Sequence, residues 1–180
     1  MPIAPVIVAM LVAWYLYQGR RRAGLKLRYF TPDEFGPYWP MMDQQLLQMM
    51  DEFRHRLGYP VLISPAPGAI GRPVIGQEAN PEEQNSSTWH NYFKHGAVMA
   101  IDLMPVPPAG ATPYERERWL KIAREVGFTG IGIYPDWKPR PGIHVDVRTD
   151  RQPGAPALWA GVRDPQTGKQ IYTGIEQGLV

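Results

Sequence analysis

The chain has 180 residues, of which 44% are hydrophobic and 20% charged, and its formal net charge is +2. This length suits one globular domain, and the small net charge argues against nucleic acid as a partner. There are no cysteines, which excludes disulfides, a thiolate nucleophile and a cysteine zinc site. Any metal must therefore be held by histidine and carboxylate. The 20 prolines and 18 glycines predict short elements and long ordered loops.

An apolar run at residues 3–17 carries no charge and is followed by Arg20, Arg21 and Arg22. The run is shorter than the roughly 20 residues of a full membrane span, but aromatic residues followed by arginines are typical of a membrane interface. A cleavable signal peptide would carry its positive charge before the apolar stretch. We therefore expect a hydrophobic anchor helix over residues 1–23, with burial of this helix in a larger assembly as the alternative.

The segment over residues 31–64 predicts a capped turn, one long helix and a short strand. Thr31 can cap a turn that begins at Pro32, and Pro40 can start the long helix. Gly58 is a natural end for that helix, and residues 59–64 predict a strand. The helix face that we expect to be buried comprises Leu46, Met50, Phe53 and Leu57.

Residues 65–84 form a long stretch that is rich in proline, glycine and polar residues. The stretch is too long for a plain connection, which favours a binding loop. Arg72 is its only cation, and a guanidinium forks carboxylates and carbonyls well. Arg72 is therefore either a clamp on a substrate carboxylate or carbonyl, or an ordinary surface arginine.

Two histidines, His90 and His95, precede a strand-like apolar run that contains Asp102. A carboxylate buried in such a run needs a partner, and a metal ion supplies one. Downstream, His144 and Asp146 are two residues apart on a second strand-like run and therefore face the same side. These residue types are the ones that bind zinc when cysteine is absent, and a catalytic zinc keeps an open position where the pKa of water falls to about 7. The sequence thus predicts a metal site on neighbouring strands.

The segments T-W-H and A-I-D, followed by G-I-G-I-Y-P and G-I-H-V-D-V-R, form an ordered set of motifs, with F-T-P-D-E-F upstream of them. This set resembles the M15-type zinc peptidases, the group of D-alanyl-D-alanine carboxypeptidases and phage endolysins that shares its fold with the Hedgehog signalling domain. The resemblance covers about residues 29–148. It implies a zinc-dependent peptidase that cleaves the peptidoglycan stem peptide. The fold that we expect is α+β, with helices packed on a small, mainly antiparallel sheet that carries the zinc on one face.

The resemblance implies His90, Asp102 and His144 as the zinc ligands. Thr88 lies two residues before His90, as in a branch of phage-like relatives that carry a short insertion after the first histidine. His95 lies seven residues before Asp102, which is the usual spacing of the family, but it lacks the serine or threonine two residues earlier. His95 is therefore the alternative first ligand.

Pro141 stands three residues before His144, where many members of the family carry a glutamate as general base. Asp146 is our first candidate for the base and Asp136 the second. Arg72 is the candidate for holding the substrate. The missing glutamate also supports two alternatives: a non-catalytic phage structural protein that keeps the peptidase fold, and a metal-dependent module that binds cell wall.

The predicted plan of the chain has three parts: an anchor over residues 1–23, a peptidase domain over residues 24–150 and a C-terminal extension over residues 151–180. The extension matches none of the motifs, and a small hairpin and an extended docking tail are both open for it. Arginines after the apolar run favour a cytoplasmic domain, whereas a wall enzyme acts outside. A phage origin removes this conflict, so we expect a virion-associated lysin or a membrane-anchored endolysin, with membrane or virion proteins contacting residues 3–17.

Overall fold

The computed structural model describes residues 25–180 and has an α+β fold with a six-stranded sheet. The strands are β1 (Val61–Ile63), β2 (Ala100–Pro105), β3 (Gly130–Tyr134), β4 (Gly142–Asp146), β5 (Ala157–Arg163) and β6 (Gln170–Thr173). Their order in the sheet is β1-β2-β4-β3-β5-β6. Neighbouring strands are antiparallel except β3 and β5, which are parallel. The predicted α+β fold is confirmed, and its sheet is mixed.

Helices in the described part of the chain are α1 (Gln44–Leu57), α2 (Pro81–Gln84), α3 (Tyr92–His95) and α4 (Pro113–Val126), with 3-10 segments at Pro32–Met41 and Ile175–Gly178. The two long helices, α1 and α4, contact each other, and α4 also contacts β3. Helix α4 begins where Thr112 accepts a hydrogen bond from the N–H of Glu115. This pair of helices covers one face of the sheet.

The long helix α1 begins later than the sequence pattern predicts. Pro40 lies inside the first 3-10 segment, so the prediction that it starts the helix is wrong. The start is set by Asp43, whose carboxylate accepts a hydrogen bond from the N–H of Leu46 at 2.9 Å. The predicted end is confirmed, because Gly58 has a φ of 75°, in the left-handed region that glycine tolerates.

The central strands present different residues to the two faces of the sheet, because side chains alternate along a strand. One face is fully buried and comprises Ile101, Leu103, Ile131, Ile133, Ile143 and Val145. The predicted apolar face of α1 is buried in the same core. Each large apolar side chain that is buried in this way contributes about 1.5–3 kcal/mol to folding. The core thus holds the strands in register, and the other face is free for polar residues.

Residues 157–173 form a hairpin that joins the same sheet, so the hairpin alternative for the C-terminal segment is the one that the structure contains. Strand β5 pairs with β3, and β6 pairs with β5. The segment that follows is fastened by Arg116 of α4, a buried side chain whose Nε donates to the carbonyl oxygen of Gly178 at 2.8 Å. The hairpin therefore has a fixed position beside the central strands.

The predicted anchor helix at residues 1–23 lies outside the described residues and stays a prediction. Within residues 25–180, none of the helices combines the length and the apolar character that crossing a membrane requires.

Candidate metal centre

The central strands place the main site residues in one row across the sheet. Asp102 on β2 lies opposite His144 on β4, and His144 lies opposite Gly132 on β3. Gly132 in turn lies opposite Trp159 on β5. Because directly opposite residues point to the same face of a sheet, the side chains of Asp102, His144 and Trp159 meet on the face away from the core.

His90 completes the group from the loop between α2 and α3. Its Nε2 atom lies 3.2 Å from Nδ1 of His144 and 3.5 Å from Oδ1 of Asp102. Nδ1 of His144 lies 2.9 Å from the same oxygen of Asp102. Two imidazole nitrogens and one carboxylate oxygen therefore converge on one point, and this buried group could hold a metal ion.

The three separations also suit a tetrahedral ion. Ligand atoms that each lie about 2.1 Å from such an ion are about 3.4 Å apart. The ring nitrogens on the far sides have partners of their own: Nδ1 of His90 donates to the carbonyl oxygen of Ile70 at 3.1 Å, and Nε2 of His144 donates to Asp146 at 3.1 Å. Such partners fix the tautomer and the orientation of a ligating histidine. The residues present thus fit a metal ion.

Asp146 lies behind His144, fully buried, and both of its oxygens are engaged. Besides the bond from His144, it accepts hydrogen bonds from Arg148, at 2.9 Å to Oδ1 and 2.5 Å to Oδ2. The carboxylate fills space that Gly130 leaves on the neighbouring strand, where a Cβ atom would collide with it. Asp146 is thus placed to orient His144, and its role as a general base stays a prediction.

Electrostatics keep this group charged in the absence of a metal. Burial lowers the pKa of His144, but its hydrogen bonds to Asp102 and Asp146 outweigh burial and raise that pKa to about 9. Burial also opposes ionisation of the two carboxylates. Nevertheless, the neighbouring histidines hold the pKa of Asp102, and His144 with Arg148 hold that of Asp146, well below the usual range. A protonated His144 therefore lies between two ionised aspartates.

We expect the free energy of unfolding of the metal-free protein to fall as pH rises from about 6.5 to 9. A raised pKa in the folded state, here about 9 for His144, adds stability that is fully present below the unfolded value of about 6.5. That contribution is lost as pH rises through the folded value. The lowered pKa values of the two aspartates act in the opposite sense, since their contribution is present above about pH 4 and is lost on acidification.

Denaturant unfolding of chelator-treated protein between pH 5 and 10 measures this effect. His144→Gln is the control, because it removes the titrating ring, and its profile should be flatter above pH 6.5. The same fall in the parent and in His144→Gln would contradict the assignment.

His90, Asp102 and His144, here called the metal group, lie in an open cleft of about 570 Å³. Its walls are aromatic, with Trp89, Tyr134, Trp137, Trp159 and Tyr172 among the lining residues. Positive charge comes from Arg72, Lys138 and Arg148. Among the described residues that line the cleft, Asp102 is the only carboxylate. The cleft is thus suited to a ligand with both apolar and negatively charged parts.

His95, the alternative first ligand, lies outside the metal group. Its ring stacks on Trp89 with a centroid distance of 4.1 Å and an interplanar angle of 17°. Its Nε2 atom is buried and has no hydrogen-bond partner within residues 25–180. His95 therefore supports a wall of the cleft, whereas His90 belongs to the group that could hold a metal ion.

The two remaining predicted site residues have different positions. Arg72 lines the cleft, and its Nη1 atom donates to Glu83 at 2.9 Å, so one side of its guanidinium is held. Asp136 accepts a hydrogen bond from the backbone N–H of Arg163 at 2.8 Å and is not among the described residues that line the cleft. The structure thus brings Arg72, but not Asp136, to the site.

Sequence reasoning missed the contribution of Trp159. Its ring lies 5.1 Å from that of His144, tilted by 53°, and it covers Gly132, where a Cβ atom would lie 2.5 Å from the indole. The signal in the sequence was the pair of glycines at alternate positions of β3, Gly130 and Gly132, which leaves room for large groups on one face. That signal predicts space without saying which residue fills it.

Comparison of the chain with protein-family models, with curated proteins and with solved structures gave no significant match. The fold and the site therefore define only a broad class: an α+β protein with a buried group of two histidines and one aspartate that could hold a metal ion. A finer assignment depends on the chemistry of the cleft and on the sequence motifs.

Proposed function

We propose that this protein is a zinc-dependent peptidase that cleaves peptide bonds in bacterial peptidoglycan. The observation that carries the proposal is the convergence of His90, Asp102 and His144 on one point of an open cleft. Three protein ligands of this kind leave a fourth position for water or substrate, as in catalytic zinc sites. A bound zinc would supply Lewis-acid activation of water and of a substrate carbonyl.

The residues around this group have separate tasks in the proposed reaction. Asp146 holds His144 in one tautomer and orientation, and Arg148 in turn holds Asp146. Arg72 and Lys138 offer positive charge to the carboxylates of a stem peptide. Trp159 packs against one side of the His144 ring. Together these contacts orient an acidic peptide beside the metal group.

The sheet supports the same assignment, since an α+β fold with the site on one sheet face is the arrangement that the M15-like motifs imply. Substrate class rests on that resemblance. We further propose that the protein acts from a phage particle or from a membrane anchor. Residues 3–17, on which this context depends, lie outside the described residues.

A second candidate is a metal-binding structural protein without hydrolytic activity. One observation favours it: within the described residues, no carboxylate other than the ligand Asp102 lines the cleft, and Asp146 is fully engaged by His144 and Arg148. Such a protein would bind zinc and leave the wall peptides intact.

Digestion of purified peptidoglycan by the zinc-loaded full chain separates the two candidates. We expect new amino groups to appear with time, to stop after chelation and to return when zinc is added back, since hydrolysis of a peptide bond frees one amine per cut. Chelated protein is the control for contaminating hydrolases. A chain that binds about one zinc and releases no amines would leave the structural protein as the function.

A further inference from the structure

Tyr134 is a cleft residue to which the proposed function has so far given no task. It is the last residue of β3 and lies two positions beyond Gly132, so both point to the site face of the sheet. Gly132 is the residue opposite His144. Tyr134 is therefore the next residue along β3 that faces the same side as Asp102 and His144. Its side chain is 5% exposed and lines the cleft together with Asp102 and His144.

Contacts on three sides fix the ring of Tyr134. Trp137 stacks on it with a centroid distance of 4.0 Å and an interplanar angle of 19°. Gly161 of β5 leaves the space that the ring occupies, because a Cβ atom there would collide with it. The hydroxyl oxygen accepts a hydrogen bond from Nε1 of Trp159 at 2.8 Å. A side chain held in this way has a preorganised hydroxyl.

The bond from Trp159 also decides how the hydroxyl of Tyr134 can act. An indole N–H can only donate, so the tyrosine oxygen is the acceptor there and its proton remains for another acceptor. Burial raises the pKa of Tyr134 above its ordinary value, and the nearby charge of Asp102 acts in the same direction. The hydroxyl therefore keeps its proton at neutral pH. In the free protein the polar neighbour of this hydroxyl is Tyr172, a cleft residue that is 68% exposed.

We propose that Tyr134 is a further catalytic residue, whose hydroxyl donates a hydrogen bond to the carbonyl oxygen of the bond that is cleaved. The inference rests on the proposed peptidase function and deepens it. The hydroxyl of Tyr134 matters here because Arg148, a charged donor that lines the same cleft, is already bound to Asp146. Preorganised donors aimed at the oxygen that gains charge supply a large part of the catalysis in acyl transfer.

The step balances without a further reactant. Water adds to the carbonyl carbon, and the electron pair of the C=O double bond moves to the oxygen that Tyr134 contacts. When the pair returns, the C–N bond breaks, and the leaving nitrogen takes up one proton of the water. Tyrosine keeps its own proton throughout, so its hydrogen bond strengthens only while the oxygen carries negative charge.

Tyr134→Phe in the zinc-loaded full chain tests the inference, with Tyr114→Phe as the matched control because that hydroxyl is on α4 and its residue is 71% exposed. We expect Tyr134→Phe to bind as much zinc as the parent and to lower kcat on wall fragments by about 10²–10³-fold, with little change in KM. Affinity for a phosphinate dipeptide, whose tetrahedral anion imitates the charged oxygen, should fall by about tenfold or more. The control should match the parent in all three measurements.

Three results would overturn the inference, and they differ in their consequence for the proposed peptidase function. If Tyr134→Phe had the same kcat and the same phosphinate affinity as the parent, Tyr134 would have no catalytic role, and the peptidase function would be unaffected. Loss of zinc in Tyr134→Phe would show a structural role instead. A zinc-loaded parent that releases no amines and binds no phosphinate would end the peptidase proposal and this inference together.

Discussion

Replacing His90 by alanine is expected to abolish tight metal binding, whereas replacing His95 by alanine should leave it intact. Nε2 of His90 lies within 3.5 Å of the ligand atoms of both Asp102 and His144, so its loss leaves two ligands. The affinity should fall on the order of a hundredfold or more, because each ligand carries a sizeable share of the binding free energy of such a site. His95 packs against Trp89 and is not part of the metal group.

Zinc per chain after dialysis, with a competition titration for affinity, measures the difference between the two variants. The pair is well matched, since both changes remove one imidazole from the same short segment of chain. Circular dichroism should show that both variants keep the fold. Loss of zinc in His95→Ala together with full binding in His90→Ala would refute the assignment of the first ligand.

The second large effect is expected for Asp146→Asn. The change keeps an oxygen that can accept the bond from His144, but it removes the negative charge that Arg148 pairs with. Breaking a buried ion pair by neutralising one partner costs about 3 kcal/mol or more of stability. Loss of an orienting partner also lowers metal affinity by about 10–100-fold. We therefore expect a less stable protein that binds zinc more weakly than the parent.

The same variant separates the two roles open to Asp146. If the carboxylate served only as a general base, Asp146→Asn would abolish hydrolysis and leave zinc affinity at the parent value. Asp136→Asn is the matched control, because its carboxylate accepts a bond from the backbone of Arg163 and an amide oxygen can still do so. Denaturant unfolding and zinc competition on both variants give the answer.

Much of the fold could be predicted from local patterns. The apolar face of α1 and its end at Gly58 depend on residues that are close in sequence. That Asp102 and His144 lie on neighbouring strands could be predicted for a different reason, since each lies in a short apolar run that predicts a strand. Patterns of this kind record what a segment needs from its immediate neighbours.

The remainder depends on contacts that no local pattern specifies. Strand β5 reaches β3 in a parallel pairing after a connection that passes through β4, and this brings Trp159 over His144. The role of Asp146 was open too, since a carboxylate two residues from His144 fits an orienting group and a general base equally well by spacing. The structure adds the direction of the His144 ring, whose Nδ1 faces Asp102 and whose Nε2 faces Asp146, so Asp146 is placed where it can orient that ring.

The glycines on the site face have a consequence for how this sequence can diverge. Gly132 lies beneath Trp159, and Gly161 lies beneath the ring of Tyr134. A side chain at either glycine is compatible with the sheet only if the ring above it becomes smaller in the same lineage. The two positions of each pair should therefore covary in size among descendants of this chain. Such paired change would trace the shape of the cleft wall even in relatives that have lost the metal ligands.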